Sequence, residues 1–198
     1  MSTAVEIANI IQARGGIVPN YYYDLLNHVI KILAGRMYYR NSDIISDELD
    51  VTVAAAGAYG ELPDDFWGLI SEPYIEGYTW MLKPSTGKAL EISYVSSGQP
   101  SYYRVKNANI YIYPSTSAEI VIKGDYFAKP ATITEPEGVL PYNEQFDIAI
   151  IEGIFMLIQG KSLLEIEYYL NTTVDLYLSK RDKKSPVQLP GGINWGEQ

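Results

Sequence analysis

Two adjacent carboxylates, Asp64 and Asp65, are the strongest candidates for chemistry in this chain, because the aromatic residues Phe66 and Trp67 follow them directly. A carboxylate pair beside aromatic rings can supply the acid and the nucleophile of a glycoside hydrolase. The same aspartates follow Pro63, and this sequence is equally typical of a turn or of the first turn of a helix. We favour a structural role of this kind. An enzyme built on Asp64 and Asp65 is the alternative, and it requires both carboxylates inside a cleft.

Other reactive or metal-binding residue types are scarce. The chain has no cysteine and a single histidine, His28. Disulfides, thiolate zinc sites and thiol nucleophiles all need cysteine, and His28 has no second histidine with which to ligate a metal. The sequence contains no phosphate-binding Gly-rich loop, Walker motif or Gly-x-Ser-x-Gly motif. We therefore predict a protein that is not an enzyme and that uses no cofactor and no metal ion.

The surface is predicted to be acidic, since 24 acidic and 15 basic residues give a net charge of −9. Such a surface repels nucleic acid phosphates and anionic lipids, so tight binding to DNA, RNA or membranes is not expected. Tyrosine is over-represented, with 18 residues against 4 phenylalanines and 3 tryptophans. Tyrosine combines a large ring with a polar tip and is enriched at protein interfaces.

Helical periodicity near the N-terminus predicts two helices. The first covers residues 4–14, where Thr3 and Glu6 have capping-box spacing. The second follows Pro19, with Asn20 as the expected N-cap. Its predicted face at helical spacing consists of Leu25, Leu26, Val29, Ile32, Leu33 and Arg36-Met37.

Two further helices are predicted over residues 143–160 and 162–181. The first has Gly153 at its centre, which is unfavourable unless a neighbouring element packs closely against it. Its apolar positions recur at every fourth residue: Phe146, Ile150, Ile154 and Ile158. The second begins with a capping box formed by Ser162 and Glu165. Its predicted stripe is Leu163, Ile166, Leu170, Val174 and Tyr177.

The middle of the chain alternates apolar and polar residues, which predicts antiparallel strands. Asn107–Asn109 and Pro114–Ser117 are the expected turns between some of them. The alternating runs are Leu49/Val51/Val53, Tyr78/Trp80/Leu82, Leu90/Ile92/Tyr94, Tyr103/Val105, Ile110/Ile112 and Ile120/Ile122. We expect a small antiparallel sheet or sandwich.

These patterns predict an α+β fold in which one chain unit, 1–198, has three parts. Residues 1–45 and 142–182 form a frame, an antiparallel helical bundle. Residues 48–135 form the β insertion. Residues 183–198 are rich in proline and glycine and form an extended C-terminal tail.

Several short motifs together resemble the head-to-tail adaptor proteins of short-tailed phages. They are Leu62-Pro63-Asp64-Asp65-Phe66, then Tyr103 and Ile110-Tyr111-Ile112-Tyr113-Pro114, then Ile120-Val121-Ile122 and Asp125-Tyr126-Phe127-Ala128-Lys129-Pro130. A closing helix pair, Asn143–Lys180, completes the likeness, which covers most of the chain from the second helix to Arg181.

The resemblance implies a structural virion protein made in the host bacterial cytoplasm and located in the head–tail connector region. Proteins of this family form a ring, usually dodecameric, that docks beneath the portal protein. The ring extends the DNA channel and presents the attachment surface for tail or nozzle proteins. DNA would pass through the channel without specific binding, and an acidic wall suits that role because it repels phosphates. No membrane partner is expected.

The tail is the expected docking element. It carries scattered apolar residues in a segment with too few of them to order on its own. The hypothesis is that it orders on assembly along the portal or an adjacent ring subunit, with Trp195 as the main anchor. The predicted docking residues are Lys183, Lys184, Val187, Leu189, Ile193 and Trp195.

The alternative function is a carbohydrate- or protein-binding β module of a phage tail. Tyr78, Trp80, Tyr102 and Tyr103 would then have to form exposed, coplanar faces around an open groove.

Overall fold

The computed structural model describes residues 1–85 and 98–182 and shows an α+β protein, as predicted. Within these residues there are four α-helices and two small sheets. The chain divides into two compact units. Unit one comprises Met1–Arg36 and Ile133–Gln198, and unit two comprises Met37–Thr132.

Unit one is helical. It contains α1 (Ala4–Ala13), most of α2 (Tyr22–Tyr39), α3 (Asp147–Ile158) and α4 (Leu163–Asp182). A short 3-10 helix, Glu144–Phe146, leads directly into α3. The buried residues of these helices form the apolar interior of the unit.

The predicted capping boxes at the starts of α1 and α4 are confirmed. The Thr3 hydroxyl accepts from the Glu6 N–H, and the Glu6 carboxylate accepts from the Thr3 N–H. At α4 the Glu165 carboxylate accepts from the Ser162 N–H over 3.1 Å, while the Ser162 hydroxyl accepts from the Glu165 N–H. Gly15, with φ of 80°, ends α1 in the left-handed conformation that glycine adopts readily.

The predicted cap of α2 is wrong. The helix begins at Tyr22, one residue later than a cap at Asn20 requires, and the Tyr22 N–H donates to the Pro19 carbonyl. Tyr22 is itself buried, and its hydroxyl donates to the Ala4 carbonyl over 2.9 Å. The buried stripe of α2 also includes Ile30 and Ala34, which the periodicity did not select. Leu25 and Ile32, which it did select, are only half-buried.

Gly153 sits where α3 meets two other helices. A Cβ built on it would lie 3.1 Å from Val29 Cγ1 in α2 and 3.3 Å from Leu170 Cδ2 in α4. Close packing against a neighbour, the condition under which a mid-helix glycine is favourable, is therefore present. On another side of α3, Glu152 accepts a hydrogen bond from Arg14 over 2.7 Å. The helix thus contacts several neighbours, which accounts for its nearly continuous apolar sequence.

Two helix-stripe assignments are corrected. Leu163 is exposed at the first position of α4, and the buried stripe ends at Leu178. Ile158 is more than a third exposed at the end of α3. Leu163 is the first residue of α4 and Ile158 the last residue of α3, so both lie at helix ends, where the neighbouring helices no longer cover the apolar stripe.

Unit two holds eight described strands in two sheets. The strands are β1 (Ser46–Val53), β2 (Tyr59–Glu61), β3 (Phe66–Leu69), β4 (Tyr74–Ile75), β5 (Lys83–Pro84), β6 (Tyr102–Lys106), β7 (Asn109–Tyr113) and β8 (Ile120–Ala128). One sheet has the order β1-β8-β3, with β4 also pairing with β8, and the other has the order β2-β7-β6-β5. All pairs are antiparallel except β5 with β6, which is parallel and was not predicted.

Both sheets contribute to one apolar core. Leu49, Val51 and Val53 of β1 are buried, as their alternation predicted. Ile110 and Ile112 of β7 are fully buried on the other sheet. The predicted turn between β6 and β7 is confirmed, and it contains Asn107 and Ala108 at positive φ. This is the conformation that suits a tight hairpin.

The β1 and β2 strands come close together at one side of the core. A Cβ on Gly60 would lie 2.4 Å from Val51 Cγ1, so only glycine fits in this place.

Some strand predictions are wrong. Residues Tyr78–Leu82 form no strand: β4 ends at Ile75, and only an isolated bridge joins Met81 to Tyr74. Leu82 is nevertheless buried. The short strands β2 and β3 were missed because neither has an alternating pattern. The predicted run Leu90/Ile92/Tyr94 lies outside the described residues.

Candidate functional site

The aspartate pair lies in a turn that leads into β3. The Phe66 N–H donates to the Pro63 carbonyl over 2.9 Å, and Asp64 is exposed at the turn. Asp65 is half-buried, and its Oδ1 accepts a hydrogen bond from the Tyr126 hydroxyl over 2.9 Å. Of the two structural roles left open by the sequence, the structure shows the turn, and it connects one of the two carboxylates to β8.

The environment of Tyr126 makes Asp65 a structural acceptor. Burial raises the pKa of the Tyr126 phenol, and the hydrogen bond and negative charge of Asp65 raise it further. The phenol therefore stays protonated and continues to donate. The Asp65 carbonyl also accepts from the Lys129 N–H over 2.7 Å, so this residue joins the turn to the end of β8 through both its side chain and its backbone.

The described residues contain no cluster of three or more His, Asp or Glu side chains that could hold a metal ion. His28 lies half-buried within α2. No helix within residues 1–85 and 98–182 combines the length and apolar character needed to cross a membrane.

The four aromatic residues of the alternative function do not share one face. The rings of Tyr78 and Trp80 are 4.7 Å apart but tilted by 37°, and the Trp80 indole N–H donates to the Pro100 carbonyl. Tyr102 and Tyr103 are consecutive in β6, so their side chains point to opposite faces of the sheet. A flat platform of the kind that stacks on sugar rings is not formed by this set.

The outward face of α4 is unexpectedly apolar. Leu164 is 77% exposed, Tyr168 74% and Leu176 57%, and they lie four or eight residues apart along one ridge of the helix. The buried ridge of the same helix is Ile166, Leu170, Val174 and Leu178. The two ridges are offset by two residues, or about 200° around the helix, so they face opposite directions. The sequence prediction recovered Ile166, Leu170 and Val174 of the buried ridge but chose Tyr177 in place of Leu178. It did not recognise the outer ridge, which the exposed Thr172 interrupts.

An open cleft of about 520 Å³ lies within unit two, and no sequence motif predicted it. It lies where β3, the last strand of one sheet, faces β5 and β6 at the end of the other. Its lining residues are Phe66, Trp67, Gly68, Leu69, Pro84, Ser85, Tyr103, Arg104 and Val105. Burial, and the charge of nearby Glu72, raise the pKa of Tyr103, so this ring is neutral at physiological pH.

The predicted docking residues of the tail lie outside the described residues. They are Lys183, Lys184, Val187, Leu189, Ile193 and Trp195.

Comparisons with known proteins provide no family assignment. No protein-family model matches the chain, and a search of curated proteins finds no match.

Proposed function

We propose that this protein is the subunit of a head-to-tail adaptor ring in a phage virion. Its helices would form an antiparallel bundle frame, and its C-terminal segment an extended tail. The ring would dock on the portal, extend the DNA channel and present the attachment surface for tail or nozzle proteins. The resemblance of the sequence motifs to phage adaptors is one line of support for this proposal.

The observation that carries the proposal is the apolar outer ridge of α4. Leu164, Tyr168 and Leu176 expose large side chains on the side opposite the buried ridge. Exposed large apolar side chains grouped on one helix face, here interrupted by Thr172, are typical of a protein–protein interface. A helix that buries one ridge within its own subunit and offers the opposite ridge to a neighbour is well suited to a repeated assembly.

Further exposed apolar side chains in unit one support a second contact surface. Ile17 is 81% exposed in the connection between α1 and α2, and Tyr21 is 56% exposed just before α2. A ring needs two different surfaces that meet between successive subunits. The α4 ridge and the Ile17–Tyr21 region are the two that we assign to this contact.

The test is a double substitution, Leu164→Asp with Tyr168→Asp, with Glu167→Ala as a control on the same helix. All three residues are exposed, so folding should be retained. We expect the double variant to remain monomeric where the natural chain and the control assemble. Native mass spectrometry measures assembly, and circular dichroism measures folding. A double variant that assembles as well as the natural chain contradicts the proposed interface.

The second candidate is the carbohydrate- or protein-binding β module, and the cleft in unit two is the observation that favours it. Its volume of about 520 Å³ lies in the range of ligand sites, roughly 300–1,000 Å³. A glycan array with the purified chain separates this candidate from the adaptor. Saturable binding to one glycan class, lost on Tyr103→Ala, would favour the module.

A further inference from the structure

The sheet β2-β7-β6-β5 has one face turned away from the apolar core of unit two. Ile110 and Ile112 of β7 are buried in that core, so the residues that alternate with them point to the other side of the sheet. Residues that pair directly across an antiparallel sheet lie on the same side. The register of β2 and β6 on β7 therefore identifies the residues of the other side, which we call the outer face.

The outer face places tyrosine rings beside cations. Tyr59 of β2 pairs with Tyr111 of β7, and Tyr111 pairs with Arg104 of β6, so these three form a row across three strands. The ring centroids of Tyr59 and Tyr111 are 5.4 Å apart, and the planes are tilted by 40°. Tyr102 and Lys106 lie two residues on either side of Arg104 in β6, so they share its face.

The side chains of the outer face are accessible to a partner. Tyr59 is 52% exposed and Tyr102 is 46% exposed, and Arg104 and Lys106 are also exposed. The preference of tyrosine for strands explains why it occurs in this sheet. It does not explain why the exposed rings are interleaved with cations. The combination gives one flat surface that offers both aromatic faces and positive charge.

The charge of this sheet is opposite to that of the whole chain. Its described strands contain three cations and one carboxylate, which are Lys83, Arg104, Lys106 and Glu61. The described strands of the other sheet contain four carboxylates and one lysine, and the chain has a net charge of −9. None of the three cations forms an ion pair with a described residue. A local excess of positive charge attracts an anionic partner.

The chemistry that matches both features is that of single-stranded nucleic acid. Its phosphates pair with lysine and arginine, and its unpaired bases stack on exposed aromatic side chains. Duplex DNA offers phosphates, but its bases are stacked on one another, so the tyrosine rings would find no partner. An acidic protein surface offers carboxylates without a series of flat rings. The tyrosines therefore favour the single strand over both.

We propose that the outer face binds single-stranded nucleic acid, with bases stacked on Tyr59 and Tyr102 and phosphates held by Lys83, Arg104 and Lys106. Stacking and phosphate contacts carry little sequence information, so the binding is independent of sequence. The acidic remainder of the chain repels phosphates, which keeps the dissociation constant in the non-specific range of about 10⁻⁴–10⁻⁶ M. This inference goes beyond the proposed adaptor ring and does not rest on it.

Fluorescence anisotropy of a labelled oligo-dT of about 16 nucleotides, titrated with the full-length chain at low salt, tests the proposal. We expect saturable binding, and three phosphate contacts predict a slope of about −2 in a plot of log K against log salt concentration. A duplex of the same length and a polyglutamate peptide should each compete at least about tenfold less well than unlabelled oligo-dT. Absence of binding, or equal competition by the duplex or by polyglutamate, overturns the proposal.

Substitutions on the outer face separate stacking from charge. Tyr59→Ala should weaken oligo-dT binding about tenfold and leave the salt slope unchanged, because it removes a stacking contact only. Arg104→Gln should also weaken binding and should make the slope shallower by about 0.7, because one phosphate contact is lost. Circular dichroism checks that both variants are folded, as expected for changes at exposed positions.

Two exposed residues outside this sheet provide matched controls. Tyr74→Ala removes a tyrosine from β4, which pairs with β8 in the other sheet, and Lys129→Gln removes a cation just after β8. Neither should change the affinity for oligo-dT. If the controls weaken binding as much as Tyr59→Ala and Arg104→Gln do, the assignment to the outer face is overturned.

Native mass spectra of the same proteins separate this proposal from the ring. The double variant Leu164→Asp/Tyr168→Asp, which changes only α4, should bind oligo-dT as the natural chain does. Binding by a natural chain that stays monomeric supports the outer face and counts against the ring. If neither the ring nor the folded double variant binds oligo-dT, the outer-face proposal is overturned and the ring stands.

Discussion

The Tyr126 hydroxyl donates to Asp65 Oδ1 over 2.9 Å and joins the turn before β3 to strand β8. Tyr126 is buried, so loss of its acceptor leaves a hydroxyl without a partner in the core. We expect Asp65→Ala to lower the free energy of unfolding by about 1–3 kcal/mol. Asp64→Ala, at the exposed neighbouring position, should change it by less than about 0.5 kcal/mol.

Urea unfolding of both variants measures this difference. In the Tyr126→Phe background, Asp65→Ala should cost much less, because the hydroxyl that needs the acceptor is gone. Equal effects of Asp64→Ala and Asp65→Ala would contradict a structural role for Asp65. A polysaccharide-cleaving activity that disappears in the double variant Asp64→Asn/Asp65→Asn would instead support the enzyme alternative.

Ile154 lies at the centre of α3 and is fully buried. Ile154→Asp places a carboxylate without a partner in the apolar interior of unit one. We expect a loss of at least about 4 kcal/mol, enough to unfold a protein whose total stability is roughly 5–15 kcal/mol. Ile148→Asp is the matched control, because Ile148 lies in the first turn of α3 and is 62% exposed. Circular dichroism should show a folded control, and a folded Ile154→Asp protein would refute the packing described for α3.

Two helical glycines should respond oppositely to substitution. Gly153 has Val29 and Leu170 within 3.3 Å of a built Cβ, so Gly153→Leu should destabilise the protein by about 1–3 kcal/mol through overpacking. Around Gly35 in α2 there is open space, so Gly35→Ala should stabilise it by about 0.5–1 kcal/mol. Thermal unfolding measures both changes. Similar changes of one sign in the two variants would count against the α2–α3–α4 packing.

The two capping boxes predict part of the acid dependence of stability. Hydrogen bonds from Ser162 hold the pKa of Glu165 below its usual 4.5, and bonds from Thr3 do the same for Glu6. A carboxylate with a lowered folded pKa stabilises fully above its unfolded pKa, and that stability is lost as the pH falls through the folded pKa.

Glu165→Gln combined with Glu6→Gln keeps an acceptor at each cap but removes the titration. The double variant should therefore lose less stability than the natural chain as the pH falls below about 4.5. Unfolding midpoints recorded between pH 7 and pH 3 provide the comparison. If the unfolding midpoints of the two proteins fall in parallel as the pH is lowered, the two capping boxes contribute nothing to the loss of stability in acid.

Features with a local physical cause could be predicted from the sequence. The capping box of Thr3 and Glu6 needs only a three-residue spacing, and the β6–β7 turn needs only residues that tolerate positive φ. The alternation of the apolar residues Leu49, Val51 and Val53 with polar residues likewise predicts which face of β1 is buried. Each of these features depends on residues that are close together in sequence.

Features that depend on packing against residues far away in sequence could not be predicted. The cap of α2 was misplaced because burial of Tyr22, bonded to the Ala4 carbonyl, decides where the helix begins. β3 has no alternating pattern of apolar and polar residues. Its position is set by antiparallel pairing with β8, which is distant in sequence. The cleft was not predictable either, because β3 and β6 are brought together by the two sheets and are far apart in sequence.

The oligomeric state, measured for the chain alone and with phage portal rings, tests the proposed adaptor ring most directly. Native mass spectrometry of the full-length chain measures it in both conditions. The account predicts a closed ring, twelve subunits by the family likeness, that forms alone or on the portal and is lost when Leu164→Asp and Tyr168→Asp are combined. A chain that stays monomeric in both conditions, with its fold intact, would contradict the account.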